Sequence, residues 1–270
     1  MKSFLSILLA LSLLSSAVAQ DEGYKKNSVY KLNPWVTVPV IVGGFVTNYY
    51  GILHLKAKPG LDSATVAQLS PADVNRFDRG ASRQDPAVAD KFMKASDIGL
   101  TAIVLTPVFL LADKNPRKDF TRISLIYLET MSIMANAYSW GVGNLNRKRP
   151  YVFNTEESFK RRTRAGSFNS FYAGHPAACA ASTFFIVKVF HDYHPGSKLT
   201  PWLYGAALIP PLGVAYCRYK AGMHFPTDII AGIAAGAFIG TIVPHLHKKK
   251  GDKKLSLYPT FNGFAMTVKL

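Results

Sequence analysis

The chain is poor in cysteine, poor in acid and sparing with charge. Of its 270 residues only Cys179 and Cys217 are cysteines, so no disulfide framework supports the fold. Each lies in an apolar stretch, as expected of a buried free thiol. Charged residues make up 18 %, below the roughly 25 % of ordinary soluble domains. With 49 % hydrophobic residues, this composition excludes a disordered chain and leans towards a membrane protein. Acidic residues number 16 against 32 basic ones, a net charge of +16. Such a field attracts nucleic acid, anionic lipid or phosphorylated substrates alike. No nucleic-acid module is present and the basic residues interleave with apolar segments, which excludes a nucleic-acid partner. There is no internal repeat and no low-complexity tract.

The organisation read from the sequence has four parts: 1–19, 20–96, 97–250 and 251–270. Residues 1–19 read as a cleaved signal peptide. Lys2 precedes the apolar run Leu5–Leu14, and Ala17-Val18-Ala19 before Gln20 has the small-x-small pattern of a cleavage site. About fifteen apolar residues are short for a span of about twenty. Residues 20–96 hold a first helix and a long structured loop, in which Ser70-Pro71 and Asp85-Pro86 are helix-start signals. The 97–250 region is a helical core. Six apolar segments of helical length run at about 35–55, 97–112, 121–143, 173–190, 201–217 and 226–246. The fold class is therefore all-α, a bundle of about six core helices. In the third segment, Glu129 and Asn136 face the bundle interior or mark function. Gly232, Gly236 and Gly240 lie on one face of the last helix and allow close helix approach. Residues 251–270 alternate apolar with other residues around Asn262-Gly263, a short β-hairpin appendage.

Three clusters stand out from the apolar background: Arg147-Lys148-Arg149-Pro150 after the third segment, Gly174-His175 opening the fourth, and Arg218, His224 and Asp228 between the fifth and sixth. An up-and-down bundle brings all three to one mouth. If His224 and Asp228 share a helix face, the carboxylate bonds one ring nitrogen and leaves the other as a nucleophile or base. Phe225-Pro226 marks a helix start, whose free N–H groups suit a phosphate. Arg149 and Arg218 supply forked donors for phosphate oxygens. Arg147 is offset from Arg149 by two residues and points elsewhere. His191, His194, His245 and His247 have no carboxylate or cysteine at ligand spacing, so no metal site is expected.

These residues carry a resemblance. The order Arg149-Pro150, Gly174-His175, then Arg218-x5-His224-x3-Asp228 resembles the type-2 phosphatidic acid phosphatase superfamily, which includes the vanadium-dependent haloperoxidases, and within it the bacterial membrane-associated phosphatases. That family's pattern is Lys-x6-Arg-Pro, Pro-Ser-Gly-His and Ser-Arg-x5-His-x3-Asp. This chain has Val142 in place of the lysine, Tyr172-Ala173 in place of Pro-Ser, and Cys217 in place of the last serine. The resemblance implies that His224 forms a phosphohistidine, that Asp228 orients it and that His175 protonates the leaving oxygen. It also implies that Arg149, Arg218, Gly174 and the backbone of Ala173 hold the phosphate. Lys148 or one of Lys160–Arg164 is in sequence reach to replace the missing lysine.

The resulting expectation is a metal-independent phosphatase of a lipid or lipid-linked phosphate monoester or diphosphate. It needs no cofactor, and vanadate acts as an inhibitor. The rivals are a degenerate member that binds phosphate without turnover, and a haloperoxidase in which vanadate is the cofactor. The expected partners are a phosphorylated lipid and the membrane. The expected location is the bacterial cell envelope, with the site facing the periplasm. That orientation requires residues 1–19 to remain as a span, or one of the first two segments not to cross.

Overall fold

The structure, a computed structural model, describes residues 28–249 and the backbone of 255–260 and 263–268. The expected signal peptide, 1–19, lies outside the described residues. Six principal helices run between two ends of a bundle: α1 (Pro34–Lys56), α2 (Ala89–Val104), α3 (Phe120–Asn144), α4 (Gly174–Tyr193), α5 (Ile209–Lys220) and α6 (Pro226–His247). Local chemistry explains where they start. The Asn33 side chain accepts the Trp35 N–H at 3.1 Å and Pro34 occupies the first turn of α1. Pro226 does the same for α6, and Pro210 and Pro211 for α5.

Two apolar segments depart from the sequence reading. The second segment was expected as one helix over 97–112. Instead α2 begins at Ala89, and beyond Val104 the chain tightens into a 3-10 helix over Thr106–Ala112. Pro107 is responsible, since it has no N–H to donate and disfavours α geometry in the residue before it. The fifth segment, expected over 201–217, is split between Thr200–Ala206 and α5. Pro210 and Pro211 require a fresh start there. In the long loop, Ser70 and Asp73 form a capping box around Pro71–Asp73, and Asp85 caps Pro86–Val88, which leads into α2.

Helix α4 is the central element, with Ala177, Cys179, Ala180, Phe185 and Val189 all fully buried. Its neighbour α6 presents Gly232, Gly236 and Gly240 to it. A Cβ at these positions would lie 2.5, 2.0 and 2.3 Å from the carbonyl oxygens of Ala173, Ala177 and Ala181. Two four-residue ladders of small residues thus bring the backbones into contact, as the glycine spacing implied. That contact fixes the start of α4 beside the start of α6. Helices α1 and α3 pack in a similar way, Gly44 and Gly51 facing Ser132 and Ser139. Asn136 closes that pair, donating to the Gly44 carbonyl at 2.6 Å and accepting from Thr47 at 2.7 Å. Glu129 accepts from His247 at 3.0 Å and so ties α3 to α6. Both polar residues of the third segment hold helices together.

Three helical runs are long and apolar enough to cross a membrane among the described residues: Pro34–Lys56, Pro86–Ala112 and Pro226–His247. Trp35, Phe45, Phe109, Ile230 and Phe238 are exposed along them, an outward apolar face suited to lipid. The strands Leu255–Thr260 and Gly263–Val268 pair antiparallel. Phe261 and Asn262, and with them the expected Asn262-Gly263 turn, lie outside the described residues.

Candidate active site

At one end of the bundle α1, α3 and α5 finish while α2, α4 and α6 begin or pass. The structure brings the three sequence clusters together there. His224 sits in the loop between Gly222 and α6, with 1 % of its surface exposed. Gly222, at φ +64°, allows the tight reversal after α5, a conformation that favours glycine. The His224 Nδ1 lies 2.7 Å from the backbone carbonyl oxygen of Ser170. A carbonyl only accepts, so Nδ1 carries the proton and Nε2 keeps its lone pair.

This is not the partner the i, i+4 spacing suggested. The Asp228 carboxylate is 3.9 Å from Nδ1, beyond hydrogen-bond reach. The reason is that α6 starts at Pro226, so His224 is outside the helix and the two residues do not share a helical face. Asp228 turns back instead. Its Oδ2 accepts from Ser170 Oγ at 2.6 Å and from the Phe225 N–H at 2.9 Å, while its Oδ1 pairs with Arg147. Asp228 therefore holds Ser170, and Ser170 holds His224. Arg147 does point away from Arg149, as expected, but onto this support. It also pairs with Asp78 at 2.8 Å.

Asp78, fully buried in the long loop, accepts the Thr227 N–H at 3.1 Å and the Thr227 hydroxyl at 2.8 Å. Burial pushes its carboxyl up, but hydrogen bonds from Asn75 and Thr227 and the Arg147 charge hold it below its ordinary range. The Phe225 and Thr227 amides at the start of α6 are thus taken by carboxylates, which corrects the expectation that they face a phosphate. A second correction concerns Ala173. Its N–H donates to the Asp228 carbonyl oxygen at 3.1 Å and is not free for a phosphate. The α4–α6 contact consumes it.

His175 opens α4 just after Gly174, where a side chain would collide with the Tyr138 ring at 2.4 Å. Its Nδ1 accepts from Arg218 Nη2 at 3.1 Å, and its Nε2 lies 2.9 Å from Asp97 on α2. With Arg218 as an obligate donor to Nδ1, the proton of a neutral His175 is on Nε2, donated to Asp97. Burial, then the Arg218 charge, pushes His175 down to about 4, against a raising effect of Asp97. His224 is held well below its ordinary range by burial and by the Arg149 and Arg218 charges. A neutral His224 is what a nucleophile requires.

Both arginines are almost wholly buried. Arg149 spends Nε on the Gly166 carbonyl at 3.1 Å and Nη1 on the Met223 sulfur at 3.4 Å. Arg218 gives Nη1 to Ser96 Oγ at 3.2 Å, while its buried Nε has no partner among the described residues. Burial, then Arg149, pushes Arg218 down to about 10. Two buried cations with underused donors beside a neutral histidine form a site for an anion.

Sequence reasoning missed Ser170, Asp97 and Asp78. Asp97 carries a signal, a carboxylate at the start of an apolar segment. Ser170 acts partly through its backbone, and Asp78 lies in a polar loop, so neither stood out. Val142 is fully buried, with its carbonyl oxygen bonded by Lys58 Nζ at 2.6 Å. Of the other histidines, His194 pairs with Asp113 at 2.6 Å and His247 with Glu129, both far from this mouth. No cluster of metal-ligating residues occurs among the described residues.

The bundle gathers His175, His224 and the buried Arg149 and Arg218 at one mouth, and its three long apolar helical runs suggest membrane association. Residues 121–252 match the family described as the PAP2 superfamily, which supports membership of that superfamily and implies phosphatase-type activity in general. No significant match to a curated protein or to a solved structure accompanies it. Arg149, Gly174, His175, Arg218, His224 and Asp228 fall inside the matched segment, and Asp78 and Asp97 outside it.

Proposed function

We propose that this protein hydrolyses the phosphate monoester or diphosphate of a lipid or lipid-linked substrate through a phosphohistidine at His224. The observation that carries the reading is the Ser170 carbonyl on Nδ1, which leaves the Nε2 lone pair of a neutral, buried imidazole among two arginines. Arg149 and Arg218 take the phosphoryl oxygens, with the Gly174 amide at the start of α4. The dianion offsets the positive charge that depresses His175. As Arg218 turns to phosphate, Nδ1 is released and His175 becomes doubly protonated. Nε2 of His224 attacks phosphorus, the P–O ester bond breaks, and His175 gives its proton to the leaving oxygen. Water then attacks phosphorus, passes a proton to His175 and breaks the P–N bond. Phosphate leaves and His224 regains its lone pair.

A cleft of about 230 Å³ beside His175 and Gly174 supports a lipid substrate. Ile52, Leu100, Met131 and Met134 line it, so an alkyl chain attached to the leaving oxygen has an apolar path between α1, α2 and α3. A larger cavity, about 830 Å³, lies at the opposite end between Lys31–Thr37 and Leu246–Lys249, away from either site histidine. Its size does not make it the better candidate, because it lacks the arginines and the histidine pair.

The test is phosphate release by purified protein in mixed micelles from long-chain and short-chain alkyl phosphates, beside His224→Ala. Vanadate-sensitive turnover that favours the long chain and vanishes in the variant is expected. Absence of turnover, or turnover retained by His224→Ala, overturns the proposal. We assign the site to the periplasmic face of a bacterial envelope. Thr155→Cys, on the exposed mouth-side loop, should then react with an impermeant thiol reagent in intact cells with a permeable outer membrane. Labelling only after lysis places it on the cytoplasmic side.

A further inference from the structure

We propose that Arg164 is a third phosphate-binding cation of this site, a role that extends the proposed phosphatase reading to a residue outside the family motifs. Met223 is the residue before His224. Its sulfur is contacted by Arg149 Nη1 at 3.4 Å and by Arg164 Nη2 at 3.8 Å. Two guanidinium groups therefore meet at one atom, one residue from the candidate nucleophile. A thioether is a weak acceptor for a cationic donor, so both forks have more to gain from an oxyanion.

The rest of the Arg164 surroundings hold it in place without neutralising it. Its guanidinium stacks over the Tyr151 ring at 4.9 Å, and its Nε contacts the Tyr151 hydroxyl at 3.3 Å. No carboxylate pairs with it among the described residues. The neighbouring basic residues are committed elsewhere. Arg162 is buried with its donors on the carbonyls of Val152, Val66 and Leu69, and Arg161 is bound to Glu157 and the Ala221 carbonyl. Lys148 lines a separate cleft with Asp73, Val74 and Arg147. The Arg164 charge reaches the cradle, since it adds to the field that lowers both Arg149 and Arg218.

The chemistry asks for such a group. In the transition state of phosphoryl transfer, charge is spread over three equatorial oxygens, and positioned cations contribute most of the stabilisation. Arg149 and Arg218 are buried beneath the site, whereas Arg164 is exposed at its rim. It is free to reach a third oxygen from the open side, in a position that the buried Val142 does not serve.

The experiment measures binding of vanadate and of inorganic phosphate to the purified full-length protein, with turnover measured separately. Arg164→Ala should weaken vanadate binding about ten- to a hundredfold, the usual scale of a lost charge-assisted contact. Arg164→Lys should recover part of it. Lys160→Ala removes the same charge from an exposed neighbour and should change binding by less than about twofold, as expected for a screened surface charge. Equal binding by Arg164→Ala and the parent, or equal losses in Arg164→Ala and Lys160→Ala, overturns the proposal. A parent that binds vanadate through Arg164 without releasing phosphate overturns the phosphatase reading and leaves this one standing.

Discussion

Asp228 supports His224 through Ser170, and substitution can separate that arrangement from a direct bond. In Asp228→Asn the single amide oxygen can occupy the Oδ2 position and keep the Ser170 hydroxyl and Phe225 N–H. The amide NH₂ then faces Arg147, donor against donor. Arg147 is about a third exposed, and it retains Asp78, so the loss is screened and amounts to about 1 kcal/mol of stability. The Ser170 peptide stays in place, and kcat should fall by about tenfold or less, since 1.4 kcal/mol corresponds to a factor of ten. Asp228→Ala removes all three contacts from a fully buried carboxylate. Hydrogen bonds to charged groups are worth about 1.5–3 kcal/mol each, so stability should drop by several kcal/mol and kcat by at least about a hundredfold. The decisive assay is a double-mutant cycle with Ser170→Ala, read in kcat and in thermal unfolding. If Asp228 acts through Ser170, adding Ser170→Ala to Asp228→Ala costs little more. Fully additive losses in kcat would refute the relay and restore a direct action of the carboxylate on the imidazole.

Other predictions rest on separate contacts. His175→Ala should lose at least about a hundredfold with alkyl phosphates but far less with p-nitrophenyl phosphate, whose leaving group needs no proton, as the usual range for general acids implies; equal losses with both would remove His175 as the acid. Asp97→Asn removes a carboxylate that raises His175, so the imidazolium dissociates at lower pH. The high-pH limb of kcat should then move to lower pH, and an unmoved or upward limb contradicts the assignment. Gly236→Val forces a side chain against the Ala177 carbonyl and should lower stability by about 1–3 kcal/mol or prevent folding, measured as thermal unfolding in detergent. An unchanged transition would mean that α4 and α6 do not pack this closely.

Much of this arrangement was legible in the sequence because it depends on spacing. The glycine ladder of α6 predicted a close helix partner, and the alternation of apolar segments with basic and histidine clusters predicted one shared mouth. Prolines at 71, 86 and 226 marked helix starts that the structure contains. Details set by backbone direction were not legible. Pro226 starts α6 two residues after His224, which breaks the helical i, i+4 relation, and Asp228 folds back as a cap. The amides of Ala173 and Thr227 looked like phosphate donors until tertiary contacts consumed them. Asp78 and Asp97 come from the region before the motifs, and no local pattern links a carboxylate to a residue 149 or 78 positions later.

The proposed mechanism requires a covalent bond between phosphorus and His224 Nε2. The direct measurement is a rapid-quench reaction with ³²P-labelled alkyl phosphate, held at alkaline pH because a P–N bond is labile to acid. Digestion and mass spectrometry then locate the label. Acid-labile, base-stable phosphate on His224 is expected, formed and lost at rates compatible with turnover and absent in His224→Ala. Label on another residue, or full turnover with no phosphoenzyme at any time point and no burst of released alcohol, would contradict it.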